Sequence, residues 1–131
     1  PTEGQFLMYS NDGGQTFNNL GRNPKIKVPD GEFWRDPKLL VIDKSMLMLV
    51  YETYEKRDCV TVYESNDLEK WELKSRLLDL YECPDLFLLP VKETGEKKWI
   101  LYGGNGSYSV CQFENYQIKK EVKRFVGIRT G

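Results

Sequence analysis

The tripeptide Ser10-Asn11-Asp12 returns 55 residues later as Ser65-Asn66-Asp67, and an aromatic residue, Phe17 or Trp71, follows each copy. A second self-similarity is independent of the first. Arg35-Asp36-Pro37-Lys38-Leu39-Leu40 aligns with Glu82-Cys83-Pro84-Asp85-Leu86-Phe87 at an offset of 47, and the longer turn at 92–98 absorbs most of the difference between the offsets. A period of roughly 50 residues carrying four short strands is the signature of a propeller blade. The constraint is physical. A four-stranded sheet that is apolar on both faces needs a neighbouring sheet on each side.

Strands are expected over 5–10, 38–43, 46–52, 60–65, 71–74, 86–91, 99–103, 108–113 and 119–126, separated by clusters of Asp, Asn, Gly, Ser and Lys. The chain has no alanine, the best helix former, while Tyr, Phe, Trp and Val are plentiful. Leu39-Leu40-Val41-Ile42 and Met46-Leu47-Met48-Leu49-Val50 are apolar at every position, as in strands covered on both faces. Only 118–125 keeps a helical alternative. The expected fold is an all-β propeller represented by about two and a half four-stranded blades. The end of one blade and a link fill 1–30, a full blade fills 31–75, and most of the next fills 76–131. Propellers usually close with four to eight blades. The chain is therefore part of a longer protein or assembles with copies of itself, two of which would supply five blades.

Several functional classes are excluded at this stage. Lys and Arg total 19 against 20 Asp and Glu, a net charge of −1, so the basic footprint of a nucleic-acid or anionic-membrane binder is missing. No apolar run reaches the roughly 18 residues of a membrane-spanning helix, and the start does not read as a secretion signal. Without histidine there is no Ser-His-Asp triad, Cys-His dyad or His-ligated zinc. Cys59, Cys83 and Cys111 form no C-x-x-C pair, and an odd count points to free thiols.

Two groups of residues carry the remaining interest. Ser10-Asn11-Asp12-Gly13-Gly14-Gln15-Thr16-Phe17 fits S-x-D-x-G-x-T-F, the Asp box of propeller hairpins. There, Ser and Asp side chains hold the turn backbone, Gly supplies positive φ, and the aromatic packs beneath. It is a structural device. Arg35-Asp36-Pro37 and Glu82-Cys83-Pro84-Asp85 precede the first strands of successive blades, the strands that line a propeller's channel. Two carboxylates converging on one pocket are what glycoside hydrolysis requires. The residues alone leave open a second reading, in which Asp36 and Asp85 cap strand starts and Glu82 is simply exposed.

Taken together, YSNDGGQTF, FWRDPKLL, YESNDLEKWE, YECPDLFLLP and KKWILYGGNGSYSVCQF resemble, in order and across the whole chain, the invertase, levanase and inulinase group of β-fructofuranosidases, glycoside hydrolase family 32. The resemblance implies a five-bladed propeller that cleaves β-fructosidic bonds of sucrose or fructans with retention. It further implies that Glu82 is the general acid/base and that Asp36 holds fructosyl hydroxyls and stabilises the transition state. Arg35 and Cys83 would stand beside them, with Phe33 and Trp34 lining the sugar site and Tyr81 or Asn105 serving acceptor subsites. A general acid working at neutral pH is expected to have its pKa raised by burial and nearby carboxylates. Neither a metal ion nor an organic cofactor is implied.

One departure from the family pattern matters. The nucleophile of the group belongs to an N-D-P-N-G motif, and this sequence has none; Asn11-Asp12 runs into Gly-Gly and reads as a turn. The 131 residues alone are thus expected to be inactive, since a retaining mechanism needs its nucleophile. The alternative is a non-catalytic carbohydrate-binding or assembly module. A sialidase-type propeller is disfavoured because no arginine cluster accompanies the Asp box. Open apolar sheet faces predict self-association.

Overall fold

The computed structural model describes residues 4–28, 33–120 and 125–126. Thirteen strands are present among them, and no helix. Two antiparallel meanders dominate. The first is the sheet β5 (Trp34–Ile42), β6 (Ser45–Tyr54), β7 (Arg57–Ser65) and β8 (Glu72–Leu78), hydrogen-bonded in that order. The second runs β9 (Asp85–Pro90), β10 (Lys97–Tyr102), β11 (Ser107–Glu114) and β12 (Gln117–Lys120), and the short β13 (Phe125–Val126) continues along the same edge of β11. The helical alternative for 118–125 is therefore overturned at 118–120, where Ile118 pairs with Phe113. Residues 121–124 of the expected last strand, and 29–32 of the link, lie outside the described residues.

The strands follow from the sequence in simple ways. Two-residue turns at Glu55-Lys56 and Asn115-Tyr116 place both central residues at positive φ, the hairpin geometry whose twist matches the flanking strands. Along β6, side chains alternate between two buried faces. Leu47 and Leu49 enter one core with Val60, Val62 and Leu77 of their own sheet and Leu80, Leu86, Leu101, Cys111 and Ile118 from beyond it. Met48 and Val50 enter a second core with Ile26 and Tyr63, flanked by Trp34 and Trp71. Burial of each such side chain contributes about 2 kcal/mol. That is why β6 is apolar at every position from Met46 to Val50.

Ahead of these sheets runs one long interrupted hairpin. β1 (Gly4–Gln5) pairs with β4 (Ile26–Lys27), and β2 (Met8–Tyr9) pairs with β3 (Asn18–Asn19). The single strand expected over 5–10 is split because Asn23 takes over its pairing. Its side-chain amide accepts from the Leu7 N–H at 3.0 Å and donates to the Leu7 carbonyl at 2.8 Å. The hairpin tip is the Asp box. Ser10 Oγ accepts the Asp12 and Gly14 N–H groups, and Asp12 Oδ1 accepts those of Gln15 and Thr16. Ser65 and Asp67 repeat the device between β7 and β8, on Leu68, Glu69 and Lys70.

Two expectations about packing need correction. Phe17 stays 58% exposed, its ring lying near Gly14 of the turn without reaching a core, whereas Trp71 at the repeat position does join one. Leu39 and Val41 are also exposed, Val41 at 71%, so β5 is not covered on both faces. The hairpin reaches β5 at the Trp34 end, where Gln5 Nε2 donates to the Trp34 carbonyl. The face carrying Leu39 and Val41 is left open.

Candidate active site

The site is built by a register slip. From the Asp43-Lys44 turn, β5 and β6 pair regularly from Ile42↔Ser45 to Lys38↔Leu49, after which the pairing shifts and Arg35 lies opposite Tyr51. Asp36 is in the bulge, with φ at 56°. An extra residue in one strand reverses the faces on which the following side chains project. Lys38 and Arg35, three apart in sequence, consequently face the same way, toward the second sheet. The sequence places Asp36 just before the strand; the structure puts it inside, on the bulge.

Across the sheet boundary, positions equivalent in the repeat meet. Arg35 Nη2 forms an ion pair with Glu82 Oε1. Asp36 Oδ2 accepts the Cys83 N–H at 3.1 Å, and the Cys83 thiol lies 3.6 Å from the same oxygen. Lys38 Nζ stands 3.0 Å from Asp85 Oδ1. Each pair is separated by the repeat offset of 47, because first strands of neighbouring blades lie side by side. Asp36 and Glu82 are therefore brought to one locus, joined through the Glu82-Cys83 backbone and through Arg35, whose Nε is 3.9 Å from Asp36.

The backbone here is unusual. Glu82 and Cys83, at φ of 29° and 43°, share with Asp36 a conformation that side-chain-bearing residues adopt rarely. Such strain, of order 1–3 kcal/mol per residue, concentrates at functional sites. A clasp from the β10–β11 turn holds the segment. Gly104 N–H donates to the Tyr81 and Glu82 carbonyls at 2.9 and 2.7 Å. A Cβ on Gly103 would lie 2.8 Å from the Tyr81 carbonyl oxygen, so only glycine allows the approach.

The electrostatics differ from expectation in one respect. The neighbour placed directly on Glu82 is a cation, Arg35, rather than a carboxylate. Asp36 acts mainly on Cys83, whose thiol pKa is raised chiefly by the Asp36 charge, then by burial and the hydrogen bond to Asp36. Among the remaining residues singled out from sequence, Phe33 is 64% exposed. Trp34 packs against the second core, with its ring 6.2 Å from that of Tyr63. Tyr81 is exposed beside Glu82, and Asn105 holds the Ser107 N–H at 3.0 Å within the clasp turn.

Sequence reasoning missed Tyr51, which is 5% exposed and touches both acid-bearing segments. The Arg35 guanidinium lies 5.5 Å from the centre of its ring, and the Tyr81 ring meets it edge-on at 5.7 Å. It also missed Gly103 and Gly104, although the Gly-Gly pair after an apolar strand was a signal of close backbone approach.

The family model described as "Glycosyl hydrolases family 32 N-terminal domain" matches residues 1–128. The chain is 30% identical to an invertase of Debaryomyces hansenii, covering 92% of this chain and 25% of that protein. It is 31% identical to a levanase of Bacillus subtilis, over 89% of this chain and 20% of the levanase. A fructofuranosidase of Schwanniomyces occidentalis, solved with fructosylnystose, superimposes with a TM-score of 0.76 at 26% identity, over 97% of this chain and 28% of the other. The chain thus spans about a quarter of the length of the curated relatives it matches. Its four-stranded meanders are blades of the five-bladed propeller of its structural neighbours. Sequence and structure agree that this chain belongs to glycoside hydrolase family 32, as a stretch of the family's N-terminal propeller domain.

Proposed function

We propose that this stretch supplies the acid/base and charge-stabilising half of a retaining glycoside hydrolase acting on β-fructosidic bonds of sucrose or fructans. The observation that carries the reading is the meeting of Asp36 with the Glu82-Cys83 backbone across two blades, a 3.1 Å hydrogen bond between residues 47 apart. In this reading Glu82 protonates the departing glycosidic oxygen and later takes a proton from water. Arg35 is placed to stabilise the carboxylate that proton loss leaves behind. Asp36 accepts fructosyl hydroxyls and opposes the positive charge of the oxocarbenium-like transition state. Arg35, Cys83 and the exposed Phe33 complete the sugar-binding surface, with Trp34 backing the segment from the second core. That structural neighbours were solved with fructosylnystose and with fructose supports a fructose-containing ligand.

No N-D-P-N-G motif is present, so these residues alone form no fructosyl-enzyme intermediate and do not turn over. That same absence favours a second reading, a propeller module that binds sugar or assembles without cleaving. Association with copies of the chain, or with further blades, belongs to both readings.

The test pairs calorimetric fructose binding with fructose release from sucrose and inulin. Binding that Asp36→Ala weakens by about tenfold, roughly one charged hydrogen bond, is expected, with no sustained release. Unchanged affinity in both Asp36→Ala and Glu82→Gln would remove the site. Sustained release abolished by Glu82→Gln would show that the chain is catalytic as it stands.

A further inference from the structure

Tyr51 stands where the two acid-bearing segments come closest to a common support. It projects from β6 on the face it shares with Leu47 and Leu49, turned to the second blade, and the β5 bulge sets Arg35 opposite it. Its ring carries the Arg35 guanidinium at 5.5 Å and takes the edge of Tyr81, the residue before Glu82, at 5.7 Å and 66°. Its hydroxyl donates to Asp58 Oδ1 at 2.7 Å. Asp58 is itself tied down, its carbonyl accepting the Asp79 N–H at 2.8 Å. Cation–ring and edge-to-face contacts are directional, so a ring fixed at its hydroxyl end constrains both partners together.

We infer that Tyr51, anchored on Asp58, is a positioning residue that holds the Arg35-Asp36 bulge and the Tyr81-Glu82-Cys83 segment in register with each other. The inference rests on the hydrolase reading for its catalytic meaning, but not for its geometry. The Gly103-Gly104 clasp fixes the second segment from one side only. Tyr51 supplies the other side and couples it to the first segment. Nothing else among the contacts described for Arg35 reaches past Glu82 and Asp36 into the core. Without the ring, Arg35 is free to swing, half exposed as it is, and the Asp36–Cys83 contact loses its lateral support.

Cys83 reports on this arrangement directly. It is the exposed thiol of the three, Cys59 and Cys111 being buried, and its titration is set mainly by Asp36, with Arg35 acting in the opposite sense. The experiment is thiol modification of the 131-residue chain by a coloured disulfide reagent across neutral to alkaline pH, beside fructose affinity. Tyr51→Leu is expected to lower the Cys83 titration midpoint, because the Asp36 carboxylate that raises it is no longer held in place, and to raise the modification rate at neutral pH about fivefold. Tyr51→Phe, which keeps the ring and loses the Asp58 bond, should shift the rate in the same direction by a smaller factor, about twofold. Asp58→Asn should match Tyr51→Phe.

A folded Tyr51→Leu variant with the parent's thiol profile overturns the inference. If circular dichroism shows that Tyr51→Leu does not fold, parent-like profiles in both Tyr51→Phe and Asp58→Asn overturn it equally. A shifted thiol profile in a chain whose parent does not bind fructose upholds the positioning role and removes the sugar reading. Fructose binding with an unshifted profile does the reverse.

Discussion

Replacing Gly103 by alanine tests the clasp on the Glu82 segment. The added methyl would sit 2.8 Å from the Tyr81 carbonyl oxygen and 3.5 Å from both the Tyr81 nitrogen and Ser107 Oγ. Comfortable contact begins at about 3.5 Å, so the backbone at 81 or 103 must yield by roughly 0.7 Å. Both sides of the contact are main chain held by hydrogen bonds, including Gly103 N–H to the Ser107 carbonyl at 2.8 Å. Overpacking of this kind costs about 1–3 kcal/mol, and alanine's lower entropy in the unfolded chain offsets about 0.4–1 kcal/mol. The net expectation is a loss of about 1–2 kcal/mol, or roughly 3–8 °C in Tm for a chain of this size. Urea unfolding at constant m would measure it. Gly104→Ala is the internal scale: its Cβ meets the Glu82 carbonyl oxygen at 3.3 Å, a milder conflict, so its loss should be smaller. Equal stability of Gly103→Ala and parent, or a reversed order of the two variants, would refute the reasoning, since the segment would then move at no cost.

A buried carboxylate gives a second prediction. Glu52 is 1% exposed, accepts from Arg76 Nε at 2.9 Å and from the Thr61 hydroxyl, and has Oε2 unpartnered among the described residues. Arg76→Met, which strands that charge, should cost about 3–5 kcal/mol in urea unfolding, and Glu52→Gln clearly less, because Arg76 is one-third exposed and still rests on Tyr54. A third concerns acid. Hydrogen bonds from the Thr16 side chain and backbone, and from Ser10, hold the Asp12 carboxyl well below its usual range. A depressed folded-state pKa adds stability above the ordinary carboxylate pKa of about 3.9 and loses it as pH falls toward the folded value. The Thr16 amide proton shift should therefore move only well below pH 3.9, whereas in Ser10→Ala it should move nearer that value.

How much of this was legible beforehand depends on the range of the interaction. The Asp box could be read because Ser10 and Asp12 bond backbone within four residues, and the same holds at Ser65 and Asp67. The blades could be read because β6 is apolar on both faces and the repeat comes round at a fixed offset. Phe17 could not be placed, because its exposure depends on what lies beneath the turn, not on the turn. Trp34 is the same case: an aromatic beside Arg35 suggests a sugar platform, but its face of β5 joins the core with Met48 and Val50.

Residue order alone determined the all-β class, the four-stranded period and the two acidic motifs, since each is written in local chemistry and spacing. The bulge was decided elsewhere. Counted back from the Asp43-Lys44 turn, Arg35 falls opposite Glu52 and points away from the second blade; the slip at Asp36-Pro37 sets it opposite Tyr51 and turns it onto Glu82. A one-residue slip reverses side-chain faces at little local cost, so only packing between neighbouring sheets selects it. That selection brings Asp36, Glu82, Cys83 and Tyr51 to one place.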